Sequence, residues 1–318
     1  MRNPPLITVA IPTFNRLNML RKTILSVCKQ SYPNIEIIIC DNASSDGTGE
    51  WLKSVHDPRV KIFFQEKNIG MVGNWNYCLE KATGEYFLLL SDDDLLHKYS
   101  LDLLFEPFIN HDISVSFGKS RVFKLDEKIR YSNKEANLHA NTLLMENNQF
   151  ALMFFLNEIY VYPCAILFKR LDLVENEGFS SLYELATDAD AWLKIIMKSK
   201  KPVAYVKSIC AYYRRHNKSE TSRKIEIMEK ETERLKVYFD TKISEEMKRI
   251  RLYKRFEFRN DIRKRSRTDS KWDLTKHILT KGIRDRHLAL ESFFCFGRWV
   301  ILSTLWSYKR KISFLNQE

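Results

Sequence analysis

The stretch EYFLLLSDDDLL, residues 85–96, sets an unbroken apolar run directly against three adjacent carboxylates. EYFLLL reads as a strand buried on both faces, because a half-exposed strand alternates polar and apolar residues. Asp92, Asp93 and Asp94 repel one another, and burying them uncompensated is costly. A hard divalent cation, Mg²⁺ or Mn²⁺, resolves that repulsion: it takes oxygen from one or two carboxylates and the rest from phosphate and water. The alternative is a solvated acidic turn in which Asp94 caps the next helix.

Upstream, short β-rich runs alternate with helical patterns. LITVAIP (6–12), IEIIIC (35–40) and VKIFF (60–64) read as strands preceding EYFLLL (85–90). Between them, residues 16–29 carry Leu17, Leu20, Ile24, Leu25 and Cys28 at helical spacing, and further helices are expected near 47–55 and 70–82. This order predicts an α/β fold with a mostly parallel sheet flanked by helices. Ligands of such sheets bind outside the carboxyl ends of the strands, near a topological switch point. The residues there are Pro12-Thr13-Phe14-Asn15-Arg16, Asp41-Asn42 and Ser91 to Asp94. Asp41 is placed to accept hydrogen bonds from a base or ribose, whereas Asp46 and Thr48 read as helix-capping residues. From about 110 to 217 the pattern is mixed, with strands near 113–117, 163–168 and 203–206 and helices near 147–157 and 187–198. Beyond about 222 the chain reads as helical, basic and poor in glycine and proline.

With 44% hydrophobic and 13% aromatic residues, the 318-residue chain has the makings of a sizeable core, which excludes a disordered protein. Its six cysteines are scattered without a CxxC pair, against both a zinc site and a disulfide framework. The N-terminal MRNPPLITVAIPTF lacks the features of a signal peptide, so a cytoplasmic location is expected. The longest apolar stretch, Phe293 to Trp306, is short for a bilayer span and contains Gly297 and Arg298. The net charge of +12 is concentrated: residues 241–318 hold 20 Lys/Arg against 9 Asp/Glu, a net of +11. Residues 248–267, KRIRLYKRFEFRNDIRKRSR, interleave these cations with Leu, Tyr and Phe, and Lys309-Arg310-Lys311 follows the late aromatics. That composition favours an anionic membrane surface as partner over nucleic acid, which is not expected, or a merely solvated helical face.

Four motifs in order, IPTFNR (11–16), DNASSDGT (41–48), KNIGMVGNWNYCLEKATGEYFLLLSDDDLL (67–96) and ATDADAWLKI (186–195), together resemble glycosyltransferase family 2, inverting enzymes of the GT-A fold. The resemblance spans about residues 6–220 and implies roles position by position. Pro12, Thr13, Asn15 and Arg16 would lie near the donor's base and ribose, Asp41 would recognise the base, and Asn68, Gly70 and Asn74 would line the nucleotide pocket. Asp92 to Asp94 match a DxD-type motif, with Asp94 the favoured metal ligand, Asp92 shared between metal and donor, and Asp93 on the donor. The family's usual acid is replaced by Ser91, which leaves open which carboxylate binds ribose and which the metal. Thr187-Asp188-Ala189-Asp190-Ala191-Trp192 resembles Glu-Asp-x-Asp-x-Trp, which makes Asp188 the general base; the family's Glu is Thr187 here, with Glu184 nearby. One-step inversion needs such a carboxylate to take the acceptor hydroxyl's proton. A start-of-helix acid also has a plain capping role, and the helix dipole would draw its pKa down. In Tyr212 to Asn217, Arg214 and His216 match an Arg-x-His element over the diphosphate, His216 as a further metal ligand; a lone histidine is otherwise structural.

These readings combine into one expectation. Residues 1–222 form a GT-A domain, with 1–110 its donor half and 111–222 its acceptor half, and 223–318 a helical basic extension. The enzyme would transfer sugar from a nucleoside diphosphate to a saccharide, lipid-linked acceptor in surface-polysaccharide assembly, using Mn²⁺ or Mg²⁺ on the inner face of the cell membrane. The alternatives are a non-catalytic sugar-nucleotide scaffold and a sugar-phosphate nucleotidyltransferase, although Pro-Thr-Phe-Asn-Arg lacks the glycines of a phosphate loop.

Overall fold

The structure is a computed structural model; it describes residues 3–124, 142–216, 219, 224–242, 251–268, 273–274 and 277–278. The chain divides into two compact units, Met1–Ala151 with Ile159–Lys242 and Leu152–Glu158 with Ile243–Glu318. The division falls after Lys242, twenty residues beyond the expected position, so the helix α8 (Ile225–Lys242) belongs with the first unit.

The first unit is built on a sheet in the order β3-β2-β1-β4-β8-β6-β9-β5, with β7 paired to β9. Strands β1 (Ile7–Thr13), β2 (Ile35–Asp41), β3 (Val60–Phe64) and β4 (Tyr86–Leu89) run parallel, with Ile7 opposite Ile35 and Ala10 opposite Leu89. Every residue of β1, β2 and β4 is buried, as their continuous apolar sequences require. Helices α1 (Leu17–Cys28), α2 (Thr48–Leu52) and α3 (Gly70–Lys81) make the crossovers. Helix α1 buries Leu20, Ile24 and Val27 against the sheet, whereas Leu25, expected on that apolar face, is exposed.

The second half of the sheet is mixed. Strand β8 (Ile166–Lys169) is antiparallel to both β4 and β6 (Val115–Lys124), while β6 and β9 (Val203–Arg215) are parallel. Two short strands escape the sequence pattern, β5 (Leu95–Leu96) and β7 (Thr142–Met145), both antiparallel to β9. So do the helices α4 (Ser100–Asn110) and α6 (Arg170–Glu175), while α5 (Asn147–Phe155) and α7 (Thr187–Lys198) fall where periodicity puts them. The chain leaves the acidic triplet as β5 rather than as a helix, so Asp94 is not an N-cap.

In the second unit, helix α9 (Arg251–Thr268) turns its aromatics inward. Tyr253, Phe256 and Phe258 are buried, with Phe258 packed on Leu274, Ile278 and Ile262. These rings are covered by protein, whereas the composition of 248–267 suggests an interfacial helix. Phe293 to Trp306 lie outside the described residues. No described helix is long and apolar enough to cross a membrane, and the five described cysteines are free.

At the amino ends of the parallel strands lies a buried acid with no catalytic setting. The Glu36 carboxylate accepts hydrogen bonds from the Thr8 hydroxyl, the Thr83 amide and hydroxyl (2.6 and 2.8 Å) and the Gly84 amide (3.0 Å), and pairs with Lys61 at 2.8 Å. Gly84 is obligatory here, since an added Cβ would sit 2.7 Å from the Thr8 backbone nitrogen. Burial opposes ionisation, yet the Lys61 ammonium and these donors outweigh it and hold the pKa at about 2, against an ordinary 4.5. A depressed carboxyl pKa stabilises the fold above the unfolded-state value and loses that contribution as pH falls through the folded value. Glu36→Gln is therefore expected to lower stability near neutral pH by on the order of 1–3 kcal/mol. The deficit should shrink as pH falls from about 4.5 to about 2, read by urea denaturation across that range.

Candidate active site

At the opposite, carboxyl ends of the same strands, the order β2-β1-β4 places the switch point between β1 and β4. There the end of β1 meets the acidic triplet. The Thr13 hydroxyl donates to Asp92 Oδ2 at 2.7 Å, and the Phe14 amide to the same oxygen at 3.3 Å. Arg16 Nη1 spans two acids, 2.9 Å from Asp92 Oδ1 and 3.0 Å from Asp93 Oδ2. From β9, the Arg214 amide donates to Asp94 Oδ1 at 2.8 Å, and His216 Nε2 lies 2.9 Å from Asp93 Oδ2. The Thr23 hydroxyl of α1 lies within hydrogen-bond reach of the carbonyls of Asp92 and Asp94 (2.9 and 2.8 Å), fixing the turn's backbone.

All three acids are buried, at 3%, 6% and 0% exposure, and the surroundings respond unequally. Burial pushes Asp92 up to about 6, with the Arg16 charge pulling against it and the Asp93 charge adding to it. Burial and the neighbouring Asp93 charge raise Asp94 well above the usual carboxylate range.

Asp92 opens onto a cleft of about 830 Å³. Of the residues singled out by the sequence, Pro12, Thr13, Arg16, Asn68, Gly70, Asn74 and Asp92 line it. Gly70 adopts φ 79°, a left-handed conformation in which a side chain would be strained. Asn74 is buried and donates to the Cys40 carbonyl at 2.9 Å, while its own Oδ1 has no hydrogen-bond partner among the described residues. Asn15, Asp41, Asp93, Asp94, Asp188, Arg214 and His216 are not among the lining residues. Asn15 instead ties two loops together: it accepts from the Ser45 amide (2.7 Å) while its own amide donates to the Ser44 hydroxyl (2.8 Å). Asp41 is buried and accepts from the Ser44 amide. Asp46 bonds the amides of Leu17 and Thr48 and so serves the starts of α1 and α2, as its sequence context suggests.

Asp188 is the second residue of α7 and half-buried. Its carboxyl is raised to about 6, because desolvation outweighs the amides of Ala189 and of Asp188 itself. The helix dipole was expected to lower this pKa; withdrawal from water reverses the sign.

Several cleft residues were given no role by the sequence. Phe14 is 41% exposed on the rim, and Lys224 and Tyr183 join from the far wall. Asn42 clamps the opposite loop, donating to Asn68 Oδ1 (2.9 Å) and the Gly70 carbonyl (3.2 Å) and accepting from the Ile69 amide (2.9 Å). Its position after Asp41 is a legible signal. Glu231 of α8 also lines the cleft and had none.

The sequence model for the family described as Glycosyl transferase family 2 matches residues 8–173. Among curated proteins, the chain is similar to the Escherichia coli UDP-Glc:alpha-D-GlcNAc-diphosphoundecaprenol beta-1,3-glucosyltransferase WfgD, 27% identical over 196 residues, covering 57% of this chain and 78% of that protein. It is also 29% identical over 197 residues to the Campylobacter jejuni GalNAc(5)-diNAcBac-PP-undecaprenol beta-1,3-glucosyltransferase, covering 60% of each. For other relatives the chain spans less than two thirds of their length, 61% of a Haemophilus influenzae glycosyltransferase and 35% of one from Rickettsia felis. In fold it is similar to residues 1–349 of S. aureus TarS solved with UDP-GlcNAc, at a TM-score of 0.61 and 16% identity, covering 87% of this chain and 79% of that one. The mixed α/β sheet flanked by helices is thus the GT-A arrangement.

Proposed function

The chain belongs to glycosyl transferase family 2, and on that premise we propose that it transfers a sugar from a nucleoside diphosphate to a saccharide hydroxyl, with inversion at the anomeric carbon. The observation that carries the proposal is the junction of β1 and β4, where Asp92, held by Thr13 and Arg16, faces a cleft of nucleotide-sugar size. The Escherichia coli and Campylobacter jejuni relatives act on diphosphoundecaprenol-linked saccharides, which supports a lipid-linked acceptor and a place in surface-polysaccharide assembly.

On this reading Asn74 Oδ1, buried and unpartnered, accepts a hydrogen bond from the donor, and Thr13, Asn68 and Gly70 frame the nucleotide. Asp41 recognises the base from behind Asn42, and Pro12 and Asn15 shape the first donor loop. Arg16 and Arg214 offer positive charge to the diphosphate. Among the described residues no three His, Cys, Asp or Glu side chains are grouped to hold a metal. Asp93 and His216, facing each other at 2.9 Å, provide one oxygen and one nitrogen suited to Mn²⁺ or Mg²⁺ once diphosphate oxygens and water complete the shell. Asp94 and Asp92 join them as metal ligands: Asp94 Oδ1 accepts from the Arg214 amide, but its Oδ2 has no hydrogen-bond partner among the described residues. When bound, the cation stabilises charge on the departing diphosphate.

Asp188 is the general base. As the acceptor oxygen forms its bond to the anomeric carbon, its proton passes to the Asp188 carboxylate and the nucleoside diphosphate leaves with the electron pair of the broken C–O bond. A carboxyl with pKa about 6 is ionised at neutral pH and more basic than an ordinary aspartate. Asp188→Asn should abolish transfer, measured with UDP-hexoses and a diphosphate-linked saccharide, while donor affinity by calorimetry stays near that of the native chain. Equal loss of both would move Asp188 into the donor site. The base must be ionised, so kcat/KM should fall by about tenfold per pH unit below about 6 and level off above it. Transfer should also stop on chelation with EDTA and return with Mn²⁺ or Mg²⁺.

The net +11 of residues 241–318 supports attachment to an anionic lipid surface, and with it a position on the inner face of the cell membrane. Because the described aromatics of α9 are buried, the attachment rests on charge. The full chain should co-sediment with phosphatidylglycerol vesicles at low salt, and release as ionic strength reaches about 0.5 M, where screening is severe. Binding that survives high salt or matches on neutral vesicles would discard the electrostatic mode.

A further inference from the structure

Within the first turn of helix α7 the Asp188 carboxyl faces the amides of Ala189 and of Asp188 itself. The residue at its N-cap position is Ala186, which has no side-chain acceptor for the amides at the helix start. The three amides that lead into the helix find their acceptor 45 residues downstream: Glu231 of α8 is 6% exposed and turns its carboxylate onto them. Its Oε1 accepts from Glu184 at 2.6 Å, and its Oε2 from Leu185 at 2.8 Å and Ala186 at 2.9 Å. Successive amides converging at a helix start form a concavity of positive potential, and a carboxylate there satisfies the amides and the helix dipole together.

The rest of α8 grips the same segment. Arg234 donates to the Leu182 carbonyl at 3.3 Å and lies over the Tyr183 ring, 5.1 Å from its centroid. Lys224, just before the helix, pairs with Glu184. From the donor side, Asn76 of α3 bonds both backbone groups of Phe179, at 2.8 and 2.9 Å. Residues 181–185 form one wall of the cleft, and Asp188 lies within the first turn of α7.

We propose that Glu231 is a positioning residue for glycosyl transfer: it sets the 184–186 wall and the first turn of α7, and through them the carboxylate of Asp188. The proposal rests on Asp188 as the base. Its physical content is a count of acceptors. A carboxylate has an oxygen for each side of the three-amide cluster, a glutamine has one oxygen and presents an NH₂ to the remaining amide, and an alanine has none.

The test compares Glu231→Ala and Glu231→Gln with the full-length native chain. Hydrogen–deuterium exchange at the amides of residues 184–186 should accelerate in Glu231→Ala and to a lesser degree in Glu231→Gln, with exchange in β1 and β4 unchanged. The kcat of transfer should fall by on the order of 10²-fold in Glu231→Ala, as expected for a displaced catalytic group, and less in Glu231→Gln, with donor affinity by calorimetry retained. Unchanged exchange at 184–186, or accelerated exchange with unchanged kcat, would overturn the proposal. So would a loss of activity in both variants that tracks loss of folded protein in thermal melts. Asp188→Asn run in parallel separates the two readings. Full activity in Asp188→Asn sinks the base assignment while the exchange result still reports on Glu231; an inactive Asp188→Asn beside fully active Glu231 variants sinks Glu231 alone.

Discussion

Three consecutive carboxylates, all taken out of water at the carboxyl end of β4, constrain much of the first unit. Their charge is acceptable only because the ends of two other elements are brought to them. The β1 turn contributes the Thr13 hydroxyl and Arg16, and β9 contributes the Arg214 amide and His216. That requirement accounts for the length of β9, thirteen residues: it pairs with β6 and β7 and still runs past β5 to reach the triplet. Removing one partner of such a buried arrangement is costly, since the charge left behind has no water to turn to.

The sheet carries buried acids at both ends, and their contrast separates structure from chemistry. Glu36 is surrounded by hydroxyls, amides and a lysine, and its pKa sits at about 2. At Asp92 burial prevails: with the Asp93 charge adding to it, it outweighs Arg16 and Thr13 and raises the carboxyl to about 6. Asp188 reaches the same value through desolvation with no opposing cation. One acid holds strands together, whereas the others are poised between protonation states near neutral pH, which is the condition for exchanging protons or meeting a cation.

Legibility in the sequence followed the range of the interaction involved. Continuous apolar runs such as LITVAIP and IEIIIC declared their strands to within a residue or two, because burial on both faces is a local property of the run. Helix α7 was legible for the same reason. Strand β5 was not: two leucines have no periodicity, and they pair only because β9 arrives from more than a hundred residues away. For the aromatics of α9, composition reports that rings such as Phe258 need covering but not that Leu274 and Ile278 pack on it. At the site, Thr13, Arg16 and Asp92 were legible as residues at strand ends. Which of the three acids faces which partner was not, because that depends on where β9 comes to rest.

The same distinction bears on where the catalytic unit ends. The family match closes at residue 173, before the proposed base at Asp188 and well before Glu231. The stretch Ile225–Lys242 carries five acids against four bases, unlike the strongly basic residues after it, yet as a helix beyond the last motif it reads as part of the extension. Its side chains argue otherwise, since Glu231 and Arg234 bond the segment that walls the cleft. The amides Glu231 bonds, those of residues 184–186, lead into α7, so the entry to that helix is tied to α8. The compact unit that holds the cleft accordingly includes α8 up to Lys242.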